Sequence, residues 1–385
     1  MLISIIAYII CTFLVTGCVM MANSINGRHG GLLYAKRRHS FWSFPLFLSI
    51  IIFGVFYGVR YNTGPDNLTY IETYCEYLNF GKVVGYRDGF EAGYTFILEL
   101  FSTFRPHFSV FIGFWGVLQI GALFYVFKND RKVLLYLAPF IILSPFFLEM
   151  SNIMRQTSAL CIFFIFFPCI EKKQLFRYLI GVSVCVLIHK SAVILYPLYF
   201  IMRFIKVPGR KTAVIIFIIC TLIGNTPFWI NELNRITAIL NFIGYDRYGE
   251  GISLYTEHSD WSIAWGPSRF LSWLMILQGI WYFYEVKKKN NLPELYNMFF
   301  TCFFYGACLY NILINTHQVF LRPVVYFYDF YVLVLPIVLC YFRPKKTSFK
   351  WLLLLVSSYF YSIYMSIHGS LVPNSEFEVY HFFFL

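Results

Sequence analysis

The chain has 385 residues, of which 59% are hydrophobic and 13% charged, against about 45–50% and about 25% in an ordinary soluble protein. One water-soluble core cannot absorb that much apolar surface and no polar stretch is long enough to fold separately, so soluble enzyme folds are excluded and a membrane protein is expected. Lys and Arg exceed Asp and Glu by 31 to 19, but no basic stripe is interleaved with an exposed aromatic platform, which points to membrane topology and away from nucleic acid.

A helix needs about 20 apolar residues to cross roughly 30 Å of hydrocarbon. Runs of that kind centre on residues 2–21, 41–59, 107–127, 133–149, 153–170, 175–188, 191–205, 212–230, 269–286, 294–314, 323–342 and 350–367. They predict an all-α, polytopic integral membrane protein with about 12 transmembrane helices in a single domain, 1–385. In the first run Val15-Thr16-Gly17-Cys18 resembles a lipoprotein processing box, yet no Lys or Arg precedes the apolar stretch, so an ordinary first helix is expected. The runs 175–188 and 191–205 are short and fit a tilted pair or a re-entrant hairpin. Only Cys75 of the 10 Cys lies in a polar loop, so neither a disulfide framework nor a metal site results, and no cofactor is expected.

Basic clusters at 28–38, 128–132, 172–177, 203–211, 287–289 and 343–350 fall on one side if every run crosses once. The positive-inside rule makes that side cytoplasmic and puts both termini outside. Two longer external loops remain, about 60–106 and 231–268, with a short tail from His368. The first is expected to carry an interfacial helix over 91–104, with Tyr94, Ile97, Leu98 and Phe101 on one face, and the second another over 231–243.

On this topology the external basic residues are mostly Arg (Arg60, Arg87, Arg105, Arg155, Arg235, Arg247, Arg269, Arg322), whereas Lys predominates inside. Retention needs only charge, but a planar guanidinium grips phosphate or carboxylate through two hydrogen bonds, so these are candidate anion ligands; anchoring to lipid phosphates or pairing with acids is the alternative reading. Arg155 has no long loop to hold it in water, and an ionisable group so placed is a functional candidate by default. From it the chain descends about 15 residues and climbs about 15 back to His189, which should bring both to similar height. His189 is then a candidate base, proton shuttle or phosphate ligand, or a helix cap beside Lys190. Gly64-Pro65-Asp66-Asn67 signals a turn six residues from Arg60, presenting Asp66 either as a base or as an Asx turn holding its own loop. Asp66 is the preferred base, because a Gly-Pro turn fixes its carboxylate near a cation while Lys190 disfavours a protonated His189. Asp329 is expected inside the eleventh helix, two turns from Arg322 on the same face. External aromatics, among them Tyr70, Tyr74, Tyr77, Tyr94, Tyr245, Tyr248 and Trp261, are expected mainly in a lipid-interface belt, with sugar stacking the alternative.

Four short motifs, in order, are similar to the first half of the EpsG-like family of bacterial polysaccharide polymerases, related in role to the O-antigen polymerases called Wzy. They are Arg60-x-x-x-Gly64-x-Asp66-x-x-x-Tyr70, Glu91-x-Gly93-Tyr94, Asn152-x-x-Arg155-Gln156-x-x-Ala159 and His189-x-Ser191-Ala192; Arg322-x-x-x-Tyr326 is a looser match in the second half. Pro65 departs from the small or hydroxylated residue expected before the Asp. The resemblance implies a glycosyltransferase of the bacterial inner membrane that joins repeat units carried on undecaprenyl pyrophosphate at the periplasmic face, in the biosynthesis of capsule, exopolysaccharide or O-antigen. Catalysis is then expected from Asp66, His189 and Arg155, and binding of substrate and pyrophosphate from Arg60, Arg155, Gln156, Arg322, Glu91 and Tyr70. The expected partners are the lipid-linked oligosaccharide, membrane lipid, a flippase and a chain-length regulator. Competing readings are a lipid-linked oligosaccharide flippase or other transporter, which should show midplane charges and inverted repeats, and an acyltransferase that modifies a polysaccharide.

Overall fold

The computed structural model describes residues 2–28, 41–61, 66–81, 90–226, 267–315, 318–342 and 381–382. The chain divides into two compact units, residues 1–199 with 339–385, and residues 200–338.

In the first unit α1 (Leu2–Arg28) lies on α2 (Phe44–Gly58), and α2 on α5 (Phe108–Val126). Pro45 stands in the first turn of α2, where its missing N–H costs nothing. Lipid offers helices no hydrophobic drive to associate, so small residues that let backbones approach set the contact. A Cβ on Gly58 would stand 2.2 Å from the Ser109 carbonyl oxygen, and one on Gly113 would stand 2.9 Å from the Gly54 carbonyl oxygen. Because the obstacle is backbone, Gly58→Ala should destabilise the fold by about 1–3 kcal/mol. The expected result is a lower midpoint of thermal unfolding in detergent, and an unchanged midpoint would show that α2 and α5 separate freely.

Between α2 and α5 the expected external loop is helical twice, as α3 (Asn67–Phe80) and α4 (Ala92–Phe104). The expected helix over 91–104 is α4, with Glu91 at its N-cap and with Tyr94 and Leu98 fully buried. Hydropathy did not signal α3, whose acids and Asn keep it polar. Its Tyr74 stacks on Phe111 at 4.5 Å, and Tyr94 stacks on Trp115 at 5.6 Å. These two tyrosines are fully buried, which corrects the expectation of an interface belt: α3 and α4 fold onto α5 and take their rings into the interior. Tyr245, Tyr248 and Trp261 lie outside the described residues.

The run 133–149 is broken. α6 (Leu134–Leu143) and α7 (Pro145–Asn152) meet at 64°, because Pro145 cannot donate to the preceding turn and drives Ser144 into extended backbone. A second break at Ile153 separates α7 from α8 (Met154–Phe166). After the one-turn α9 (Pro168–Glu171) comes α10 (Leu175–Ile188), pressed so closely on α8 that a Cβ at Gly181 would meet the Phe166 ring. His189 is extended, and the chain then folds back over α10 through a 3-10 stretch, Lys190–Leu195, and α11 (Leu198–Ile201). The Tyr178 hydroxyl donates to the Leu195 carbonyl at 2.5 Å, and Ser183 Oγ lies 2.7 Å from the Tyr196 hydroxyl. The short sixth and seventh runs thus form a hairpin, with the seventh not a continuous helix.

The second unit holds α12 (Arg210–Gly224), α13 (Pro267–Lys289), α14 (Glu294–Leu313) and α15 (Gln318–Tyr328), and most of α16 (Tyr331–Tyr341). Gly224 of α12 sits against the Asn311 carbonyl of α14, and Gly306 of α14 against the backbone at Phe327 of α15. Arg269 donates to Asn225 Oδ1 and Asn315 Oδ1, both at 3.1 Å, which ties together the ends of α12, α13 and α14. Asp329 is fully buried in the two-residue turn between α15 and α16, not within a continuous helix, and Arg322 is exposed. The Asp329 N–H still bonds four residues back, to the Val325 carbonyl at 3.0 Å, so regular helix runs from Arg322 to Asp329, and the bonds three residues back begin only at Phe330.

Among the described residues four helical stretches are long and apolar enough to cross a membrane, Ile6–Ser24, Phe108–Val126, Met154–Glu171 and Phe320–Tyr341, or five if the bent pair counts as one. The run 350–367 and the basic clusters at 28–38 and 343–350 lie essentially outside the described residues. Apart from a two-residue antiparallel ladder, β1 (Arg60–Tyr61) with β2 (His381–Phe382), the described elements are helical.

Candidate active site

The break between α7 and α8 is the foundation of the site. Interrupting a helix frees carbonyl groups that lipid cannot satisfy, so side chains must do so. The Tyr57 hydroxyl donates to the Met150 carbonyl at 2.5 Å, and Gln119 Nε2 reaches the Met150 and Met154 carbonyls and Ser158 Oγ at 3.3, 3.2 and 2.8 Å. Thr157 Oγ1 donates to the Glu149 and Ile153 carbonyls, both at 3.2 Å. The break is thereby rigid, and it projects Asn152 and Arg155 from its rim. Gln119 had a visible signal, a lone amide in an apolar run, but its partners did not.

Arg60, expected as an outer anion ligand, is 1% exposed. Its Nη2 donates to Ser151 Oγ at 2.9 Å, and its guanidinium lies 4.6 Å from the centre of the Phe147 ring. It braces the last turn of α7 from within. Asp66 stands at the N-cap position of α3, and its backbone N–H donates to Asn152 Oδ1 at 3.0 Å, which ties the first motif to the third; Gly64 and Pro65 lie outside the described residues. Tyr70, one turn along α3, is buried beside Arg155 and Asp66. Burial pushes its phenol up, the Arg155 charge and hydrogen bond pull against that, and Asp66 adds to it.

Glu91 is the point where three motifs meet. Its Oε2 accepts from Arg155 Nη1 at 2.5 Å, and its Oε1 accepts from the Lys190 N–H at 3.1 Å and lies 3.4 Å from His189 Nδ1. Gly93 makes this possible, since a Cβ there would stand 2.7 Å from the Leu187 carbonyl oxygen and hold α4 away from the end of α10. The carboxylate is 9% exposed, while the Arg155 and His189 side chains are 20% and 17% exposed, so the acid lies behind the two bases. Burial alone would push the Glu91 carboxyl up, but the His189 contact, the Arg155 charge and the Lys190 N–H outweigh it and hold the group at about 2. Arg155 is also flanked by rings, 4.9 Å from the centre of Phe90 and 5.3 Å from that of Tyr94, as suits a weakly hydrated guanidinium. Gln156 is buried on the next position of α8.

The expected descent from Arg155 and return to His189 therefore holds, with one carboxylate between the two. Arg322 belongs to the second unit, with Tyr326 of the same motif fully buried there. Arg105 caps α4 in left-handed backbone at φ 48° and donates to the Leu78 carbonyl at 3.3 Å. Arg87, Arg235 and Arg247 lie outside the described residues. Among the described residues no cluster of three or more His, Cys, Asp or Glu is arranged to hold a metal ion.

Apolar helices enclosing a half-buried Arg, His and two carboxylates, where no such charges persist without purpose, define an all-helical membrane protein with a built polar site. The chain belongs to the EpsG family, a Wzy-like family of polysaccharide polymerases, whose family model matches residues 43–382. No curated protein and no solved structure matches the chain.

Proposed function

We propose that the protein is a glycosyltransferase that polymerises repeat units carried on undecaprenyl pyrophosphate at the periplasmic face of the bacterial inner membrane. The observation that carries this reading is the convergence of Arg155, His189 and Asp66 at one corner of the first unit. In the reaction the acceptor hydroxyl oxygen bonds to the anomeric carbon of the donor, and the bond from that carbon to the pyrophosphate oxygen breaks. Arg155, the partly exposed cation of the site, stabilises the charge that gathers on the leaving oxygen. A base takes the acceptor proton, and the carboxylate 3.4 Å from His189 Nδ1 supports His189 over Asp66, because a carboxylate able to close on Nδ1 leaves Nε2 to accept the proton. Asp66 then holds the acceptor sugar through its hydroxyls.

Polymerase and flippase differ in product. Membranes of a strain lacking the gene, supplied with the wild-type chain and with lipid-linked single units extracted from that strain, should yield a ladder of longer lipid-linked chains. Transfer of single units across vesicle membranes without a ladder would replace the polymerase with a transporter.

The orientation is part of the proposal and has its own test. With Cys75 replaced, single cysteines at Glu99 and within 231–268 should react with an impermeant maleimide in cells with a permeabilised outer envelope, and one at Lys288 only after the inner membrane is opened. Labelling of Lys288 alone in sealed cells would reverse the topology and move the site to the cytoplasmic face.

A further inference from the structure

We propose that Glu91 is a positioning residue that yields Arg155 to the pyrophosphate and, once released, orients His189, so that donor binding prepares the base. The inference rests on the reading above and deepens it. Glu91 was expected to bind substrate, but both its oxygens are engaged from within the protein and it lies deeper than either of its partners.

The two halves of its contact are unequal. On one side is a short charge-assisted bond to Arg155 Nη1 at 2.5 Å. On the other, Oε1 accepts from the Lys190 N–H, and His189 Nδ1 sits at 3.4 Å, buried and at ion-pair distance without a closed hydrogen bond. Arg155 Nε is likewise buried without one. Both partners of Glu91 thus keep an unused nitrogen. A pyrophosphate carries more charge and more acceptor oxygens than a carboxylate, so it outcompetes Glu91 for the guanidinium. Removing that bond frees the carboxylate to close the short remaining distance to Nδ1. An imidazole whose Nδ1–H is held by a carboxylate presents Nε2 as a better proton acceptor. The proton balance is then complete: the acceptor hydroxyl proton goes to Nε2, the Nδ1 proton stays in its bond to Glu91, and the electron pair of the broken bond leaves with the pyrophosphate on Arg155.

The charged groups at this imidazole are Glu91 ahead of α4 and its chain neighbour Lys190; Arg155 of α8 lies on the far carboxylate oxygen, Tyr94 of α4 lies by Glu91 and Arg155, and Tyr70 with Asp66 from α3 lies by Arg155. Because the Glu91 carboxyl is held at about 2, it stays ionised over the working range and does not itself supply an acid limb there.

Glu91→Gln separates this role from a purely structural one. The variant keeps the size of the side chain but no longer competes as an anion, so purified protein in detergent should bind farnesyl pyrophosphate roughly tenfold more tightly than wild type. In the ladder assay it should show a lower KM for the lipid-linked unit together with a lower kcat. Glu91→Asp, which keeps the charge one methylene back, should restore kcat in part. Weaker binding, or a raised KM, in protein that runs as a single monodisperse peak would overturn the proposal. If Glu91→Gln is not recovered folded, Glu91→Asp decides alone, with unchanged kcat and unchanged pyrophosphate affinity counting against the exchange. A wild-type protein that forms no ladder and binds no farnesyl pyrophosphate would instead overturn the polymerase reading itself.

Discussion

Lysine in place of Arg155 is expected to stop chain elongation nearly as completely as alanine. The guanidinium uses Nη1 for Glu91, packs against the adjoining Phe90 and Tyr94 rings and is partly exposed. An ammonium can replace the charge but not the flat stacking surface or the fork. Loss of one preorganised donor at a developing anion typically costs about 10²–10³ in rate, and in both variants Glu91 would be left half-buried with a poorer partner. The expected phenotype is a lipid-linked single repeat unit that accumulates and is not lengthened, read by extraction and chromatography of the lipid-linked pool. Normal ladders from Arg155→Lys at matched protein level would show that bidentate recognition does not occur at this position.

Substitution of the two candidate bases should separate them by pH. An imidazole loses its capacity to accept a proton as pH falls through about 6.5, whereas an ordinary carboxylate stays ionised from about 5.5 to 8. With His189 as base, wild-type polymerisation in membranes should decline on mild acidification, His189→Gln should be nearly inactive, and Asp66→Asn should retain measurable turnover. With Asp66 as base, His189→Gln should leave slow turnover that is flat over that interval, and Asp66→Asn should be silent. Asp66→Asn should leave the Asn152 contact standing, because Asn152 Oδ1 accepts from the Asp66 backbone N–H and not from its side chain. Full activity in both variants would move the search to residues 231–268, around Asp246, Arg247 and His258.

The apolar runs, their order and most helix positions were determined by the sequence itself, because hydropathy over about 20 residues is a local property. The four motifs were equally local, and so was the return of His189 to the height of Arg155, which follows from helical rise. What tertiary structure decided was the partnership between them. Glu91 reads as a substrate ligand at the start of an interfacial helix until α4, brought against α10 by Gly93, sets its carboxylate between Arg155 and His189. Arg60 reads as an exposed cation until α2 and α7 close over it. Tyr74 and Tyr94 read as interface residues until α3 and α4 fold onto α5. In each case a charged or aromatic side chain has the same local signature whether it faces water, lipid or protein, and only the packing of elements distant in sequence determines which surface it meets.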